Sequence, residues 1–170
     1  MLACLLIENF NDRFGKVKEI LTPLTLKLEV ANENAIYIDL EVREMTDEAN
    51  TNIQNVFHAL KKSSVEARMG IAPSCFVSFV AAHRAEPEAL QLIPSEQIES
   101  FLADQSISLL PIQPENLRRL KLLGLRTLGQ VASIDTPDLI NQFGKEGMRI
   151  SELAQGIDQT PLTPYRQPID

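Results

Sequence analysis

The hydrophobic pattern of this chain changes period at Pro94, and that change constrains the fold more than any other feature. Before it, apolar residues come in strand-like groups. Residues 2–7 form a continuous apolar run, as a central strand covered on both faces requires. Leu24, Leu26, Leu28 and Val30 alternate with polar neighbours, and Ala35 to Leu40 is rich in β-branched and aromatic residues. From Ser95 onward the apolar residues recur at helical spacing. One chain of this kind has to build a sheet-containing unit and then a helical one.

Turn and cap residues divide the first part further. Asn32-Glu33-Asn34 separates the second and third strands as a hairpin turn, and residues 8–20 read as a short helix or an irregular link. Thr46 and Asp47 offer N-caps for a helix to about Lys62, with Ile53, Val56, Phe57 and Leu60 on its apolar face. Val65 to Ile71 reads as a strand, Ala72-Pro73-Ser74 breaks it before an Ala-rich helix through about Arg84, and residues 89–93 form a last short strand. This order predicts an α+β class: a ferredoxin-like sheet over residues 1–94 with helices packed on one face.

Residues 95–160 are expected to form a small helical unit. Ser95 caps toward Phe101, and Pro111 and Pro114 lead into a helix from Glu115 to Leu123 that Gly124 ends. Thr127 and Thr136-Pro137 start two more helices, and Gly144 and Gly147 separate the third from a last one ending near Gly156. Residues 161–170 read as an extended tail.

The 170 residues carry a net charge of −7, which argues against a surface that grips nucleic acid everywhere, because DNA affinity comes largely from Lys and Arg neutralising phosphates. Any DNA contact has to be local. Cys4 and Cys75 lie in apolar runs without zinc spacing, and read as buried structural thiols in a reducing compartment. The apolar start is short and lacks a basic flank, so it reads as a first strand rather than a signal peptide. No stretch is long enough for a membrane span. A cytoplasmic location with no membrane partner is expected.

Three segments, in one order, resemble the Y-family lesion-bypass DNA polymerases, and more closely their degenerate ImuB-like branch. Ala35-Ile36-Tyr37-Ile38-Asp39-Leu40 is similar to the palm strand that the family writes Ser-x-Asp-Glu-Ala-Tyr-Leu-Asp. Arg68-Met69-Gly70-Ile71-Ala72-Pro73-Ser74, continued through Ala81-Ala82 and Glu86-Pro87 to Ile93-Pro94, resembles the Gly-Ile-Ala-x-Asn-Lys helix, Lys-Pro turn and Ile-Pro. Leu122 to Ala132 resembles the helix-hairpin-helix thumb. The resemblance implies a palm-type sheet followed by a thumb-like unit. It also implies a fingers insertion between the first strand and Thr22-Pro23, where only about fifteen residues stand, and a little-finger domain that has no counterpart in this sequence.

The chemistry of that family rests on two Mg²⁺ ions held by converging carboxylates. Counting back from Tyr37, the paired Asp and Glu fall on Asn34 and Ala35, neither of which can carry the charge. Glu33 is one residue away and would point to the opposite face of a strand. Asp39 matches a non-ligand aspartate and reads as a structural group of the palm strand. The strand end that would hold the third carboxylate reads Leu6-Ile7-Glu8-Asn9-Phe10, where Glu8 alone could touch a cation. The family's Asn-Lys aligns with Ser74-Cys75, and its Lys-Pro lysine becomes Glu86. No catalytic residue and no metal ligand are therefore expected, and Mg²⁺ enters only for a residual polymerase.

DNA contact is expected at Arg118, Arg119, Lys121 and Arg126, four cations within nine residues with no acid among them, and at Gly124, Thr127 and Gly129 of the second hairpin. In the first hairpin Leu110-Pro111-Ile112-Gln113-Pro114 replaces a Gly-rich turn, and proline supplies no N–H for a phosphate. His58 and His83 are far apart and form no catalytic set. Gln105 to Leu110 faintly resembles a clamp-docking peptide but reads as core, and Gly144-Lys145-Glu146-Gly147 reads as an interhelix turn without P-loop spacing.

The resemblance implies a non-catalytic accessory protein of DNA repair and translesion synthesis that binds DNA, an error-prone polymerase or a sliding-clamp complex. Two alternatives stand beside it: a residual nucleotidyltransferase using Glu8 and Asp39, and a protein-interaction domain without DNA binding.

Overall fold

A computed structural model describes residues 1–24, 27–31 and 34–162 of the chain, apart from the side chains of Phe10 and Asn11. The chain divides into two compact units, one built on Met1–Pro94 and the other on Ser95–Gln159. Of the expected features, residues 25–26 of the second strand, Asn32 and Glu33 of the hairpin turn, and residues 163–170 of the tail lie outside the described residues.

The first unit holds a five-stranded sheet. Its strands are β1 (Leu2–Ile7), β2 (Lys27–Val30), β3 (Ala35–Asp39), β4 (Ala67–Ala72) and β5 (Leu90–Leu92), in the spatial order β2-β3-β1-β4-β5. β1 runs antiparallel to both β3 and β4, β2 is antiparallel to β3, and β5 is parallel to β4. Three helices accompany it: α1 (Phe10–Leu21), α2 (Asp47–Lys62) and α3 (Cys75–Arg84). A 3₁₀ turn at Thr22–Leu24 takes the place of the first residue expected in β2. The link between β1 and that turn is the single helix α1.

Local chemistry sets the helix starts. Thr46 Oγ1 accepts from the Ala49 amide at 3.1 Å and Ser74 Oγ accepts from the Val77 amide at 3.4 Å, contacts worth about 1 kcal/mol each. Packing then decides which face each helix covers. Ala3, Leu5 and Ile7 of β1 join Val17 and Leu21 of α1 and Ile53, Val56 and Leu60 of α2 in one core. Cys4 points the other way and packs with Ala35 and with Ala82 of α3.

The α+β architecture is the expected one, with a refinement. The helices are divided between the two faces, α1 and α2 on one and α3 on the other. The continuous apolar run of β1 requires this, because Cys4 as well as Leu5 is fully buried. Gly70 makes it sterically feasible, since a Cβ there would stand 2.1 Å from the Ser78 carbonyl oxygen and 2.2 Å from the Ala82 amide of α3.

The second unit contains α4 (Ile98–Ala103), α5 (Pro114–Leu122), α6 (Leu128–Ala132), α7 (Thr136–Phe143) and α8 (Lys145–Ala154). Leu102, Ile107, Leu120, Leu128, Val131, Leu139, Ile150 and Leu153 are among its buried apolar residues. Gly124 ends α5 at φ +83°, a left-handed conformation that favours glycine. Gly144 alone separates α7 from α8. Gly147, expected beside it in the turn, lies inside α8, where a Cβ would meet the Leu139 carbonyl oxygen at 2.2 Å. It serves the close approach of α8 to α7.

Candidate functional site: the strand ends and the helical hairpin

The register of the sheet decides which carboxylates can meet. Leu6 pairs with Ala35, and the Ile7 amide donates to the Asn34 carbonyl at 3.1 Å, so Glu8 and Asn34 share one end of the sheet. Asp39 pairs with Leu2 at the opposite end. Six residues separate Leu2 from Glu8, on the order of 20 Å at about 3.3 Å per residue. Glu8 and Asp39 therefore do not converge, and the arrangement required for a residual transferase built on that pair is absent. Asp39 instead accepts the Glu41 amide at 2.9 Å through Oδ1 and shapes the turn after β3, where Glu41 has φ +55°.

Among the described residues, those at the Glu8 end do not fit a pair of Mg²⁺ ions. Asn34 offers only a neutral amide, at φ +83° in the turn before β3, and Ala35 offers no ligand and is buried against Cys4 and Ala82. Among the described residues, no group of three or more His, Cys, Asp or Glu could hold a metal ion. Glu33 lies outside the described residues. A cleft of about 370 Å³ opens here, lined by Glu8 and Asn34, by Arg68 of β4, and by Phe79 and His83 of α3. His83 sits edge-on to Phe79, ring centroids 5.7 Å apart. Sequence reasoning placed neither Phe79 nor His83 at this cleft, because only the packing of α3 over the strand ends brings them there.

Cys4 is buried as expected, whereas Cys75 is only partly buried. Burial pushes the Cys4 thiol well above the ordinary thiol range, a bias that a hydrogen bond involving Tyr37 only partly offsets. Cys75, at the start of α3, forms no disulfide.

In the helical unit the expected basic stripe is spread over different tasks. Arg119 donates through Nη2 to the Gln142 carbonyl at 2.6 Å and stacks over the Phe143 ring at 4.9 Å, tying α5 to the end of α7. Arg126 Nη1 donates to the carbonyls of Lys121 at 2.7 Å and Leu125 at 3.0 Å. Arg118 forms an exposed pair with Glu115 at 3.3 Å. Lys121 is exposed, and its side chain has no ion-pair partner among the described residues. Gly129 is the close-approach point of α6 on α4, because a Cβ would stand 2.8 Å from the Ala103 carbonyl oxygen.

Most of the amides around the α5–α6 turn already have acceptors inside the protein. Thr127 caps α6 in a reciprocal box, with Thr127 Oγ1 accepting from the Gln130 amide at 3.2 Å. Gln130 Oε1 accepts from the Arg126 amide at 2.7 Å and from the Thr127 amide at 3.2 Å. The amides of Leu123, Gly124, Leu125 and Leu128 donate to Arg119, Lys121, Leu120 and Gln105 carbonyls. At the first hairpin the Gln113 amide donates to Glu146 Oε1 at 3.0 Å, and Asn116 Nδ2 donates to Glu146 Oε2. A carboxylate of the protein itself stands at the start of α5. Glu146 was read as part of a turn, and nothing in the local sequence connects it to a residue 33 positions away.

The remaining motifs take ordinary places. Ile107 and Leu110 of the clamp-like segment are buried, and Gln105 Nε2 donates to the Phe101 carbonyl at 2.9 Å. His58 is an exposed residue of α2. No helix among the described residues is long and apolar enough to cross a membrane.

An α+β sheet followed by a small helical unit is the arrangement seen in solved Y-family DNA polymerases, and the chain is similar in sequence to proteins of that kind. Among the proteins it matches are several named DNA polymerase IV. The one from Pasteurella multocida (strain Pm70) is 28% identical over 168 residues, 94% of this chain and 44% of that protein. The one from Halobacterium salinarum (strain ATCC 29341 / DSM 671 / R1) is 29% identical over 154 residues, 89% of this chain and 38% of that protein. The chain thus spans less than half the length of these relatives. Its fold matches a DinB family error-prone DNA polymerase from Sulfolobus solfataricus with a TM-score of 0.71 at 23% identity, covering 88% of this chain and 46% of that one. A Dbh ternary complex aligns at the same TM-score and 22% identity, over 91% of this chain and 48% of that one. No protein-family model matches the chain.

Proposed function

We propose that this chain is a non-catalytic polymerase-like module of damage-tolerant DNA synthesis, ImuB-like in character, that positions DNA or a polymerase partner rather than extending a primer. The observation that carries this reading is the strand end itself: Glu8 shares one sheet end and one cleft with the neutral Asn34, Ala35 opposite Leu6 is buried, and Asp39 is at the far end of the same strand pair. Nucleotidyl transfer needs carboxylates on neighbouring strands to hold the metals that bridge attacking and leaving oxygens. The kinship with DNA polymerase IV supports a polymerase-related role. Primer-extension assays with Mg²⁺ and with Mn²⁺ test it. No extension is expected, and extension that disappears on Glu8→Gln would overturn it.

DNA contact in this reading falls to the exposed face of α5, with Arg118 and Lys121 toward phosphate and Arg126, Gly124, Thr127 and Gly129 shaping the hairpin. A second reading, protein interaction without DNA binding, is favoured by a specific observation. The amides of Leu123, Gly124, Leu125, Arg126, Thr127 and Leu128, and that of Gln113 before α5, already have acceptors inside the protein, which leaves side-chain cations as the main contacts for phosphate. A salt-dependent titration of primer-template DNA separates the two, because counterion release makes true phosphate contact weaken steeply with salt. Binding at low salt that falls on Arg118→Ala plus Lys121→Ala supports DNA contact. Equally poor binding by wild type and variant supports the second reading.

A further inference from the structure

The tip of the α5–α6 hairpin carries two leucines that the fold leaves in water. Leu122 is 71% exposed and Leu123 60%, against 45% or less for every other large apolar residue exposed among those described. They adjoin Gly124, whose left-handed conformation ends the helix, and no Cβ contact constrains that glycine from outside. Single exposed apolar residues are ordinary on a protein surface. Two neighbouring leucines at a hairpin tip, far more exposed than the rest, are a local exception.

The charge around them selects the partner. Residues 115–126 hold Arg118, Arg119, Lys121 and Arg126 against Glu115 alone, a local balance of +3 on a chain of −7. Lys121 directly precedes the leucines, and Arg126 lies just past the turn. Arg118 has only an exposed pair with Glu115, which is easily exchanged for another carboxylate. The backbone amides at this tip are spent internally, so the surface offers apolar contact and side-chain cations but no phosphate cradle.

We infer that the Leu122–Leu123 tip docks an acidic, leucine-bearing segment of a partner protein, the apolar side chains covering the two leucines and the carboxylates meeting Lys121 and its neighbouring arginines. This rests on the interaction half of the proposed reading and names its surface. DNA, an anionic membrane or a second copy of the chain are the competing occupants. Phosphate gains nothing from exposed leucines, and docking of an amphipathic helix on apolar residues ringed by charge is a recurring recognition mode.

The test uses the full chain and a fluorescein-labelled sixteen-residue helical probe peptide with leucines at every third or fourth position and Asp or Glu elsewhere. Fluorescence polarisation measures its binding beside a charge-reversed peptide with Lys in those positions, a twenty-nucleotide oligo-dT and phosphatidylserine-containing vesicles. The acidic peptide is expected to bind, and Leu122→Ser plus Leu123→Ser is expected to weaken it about tenfold, as is Lys121→Glu. Both residues being exposed, circular dichroism should show the variants folded. No binding of the acidic peptide, equal binding of the charge-reversed peptide, or binding indifferent to these variants overturns the inference. So does preferential binding of oligo-dT or vesicles lost through the leucine variant, or self-association in sedimentation that the leucine variant abolishes. Primer extension by the wild type would sink the module reading instead, independently of the peptide result.

Discussion

The amide of Ile7 donates to the carbonyl of Asn34 across 3.1 Å, and this hydrogen bond ties the end of β1 to the turn before β3. Glu8 and the neutral Asn34 therefore share one end of the sheet and line one cleft. Restoring the carboxylate at the surface position should be structurally mild, because Asn34 is exposed and Asp tolerates a positive φ better than most residues. Asn34→Asp is expected to shift the unfolding midpoint by less than about 1 kcal/mol and to create weak Mn²⁺ binding with Glu8, read by isothermal titration. Ala35→Glu, by contrast, buries a charge against Cys4 and Ala82 and should cost several kcal/mol in a urea titration.

Gly70 is the point at which α3 lies directly on β4. Gly70→Ala would place a Cβ against the Ser78 carbonyl and the Ala82 amide, both backbone atoms that cannot swing aside. A loss of about 3 kcal/mol or more is expected, seen as a large fall in the urea midpoint or as failure to fold, whereas Gly15→Ala, with open space around it, should be neutral or stabilising.

Arg119 and Lys121 are two residues apart in sequence and should behave differently. Arg119→Ala removes the contact over Phe143 and the bond to Gln142, and a loss of about 1–2 kcal/mol is expected in thermal unfolding. Lys121→Ala should leave stability within about 0.5 kcal/mol, its effect appearing only in partner or DNA titrations.

Glu146 links the start of α8 to the start of α5. Glu146→Ala leaves the Gln113 amide and the Asn116 carboxamide without that acceptor, and a loss of about 1–2 kcal/mol is expected. Glu146→Gln keeps an acceptor oxygen and should recover part of it. Equal stability of both variants with wild type would show that the contact contributes nothing.

The Cys4 thiol supplies a pH-dependent term. Its folded pKa is raised by burial above the ordinary 9.0. Below pH 9 both folded and unfolded thiols are protonated and the group is silent. Above it the unfolded thiol ionises first, so stability is lost as pH rises, by about 1.4 kcal/mol per pH unit at most. Urea unfolding of wild type and Cys4→Ala should run parallel below pH 8.5 and diverge above pH 9, with the wild type losing more. Iodoacetamide under native conditions should label Cys75 and spare Cys4.

Much of the fold was legible in the chain because it is written locally. The caps Thr46, Ser74 and Thr127, the spacing of Ile53, Val56 and Leu60, and Gly124 at the end of α5 all act within a turn or two of their own positions. The absence of carboxyl groups at Asn34 and Ala35 was equally plain, since no folding can supply a missing charge. What the pattern could not carry was distance across the fold. The register that sets Asp39 beside Leu2 rather than near Glu8, the side of the sheet that α3 covers, the stacking of Arg119 on Phe143 and the reach of Glu146 to Gln113 each join residues 23 to 37 positions apart or depend on such pairings. Residue types and periodicity thus determined the elements. Only the tertiary structure decided which groups meet, because strand register and close packing are settled by contacts between distant segments and not by the preferences of either segment alone.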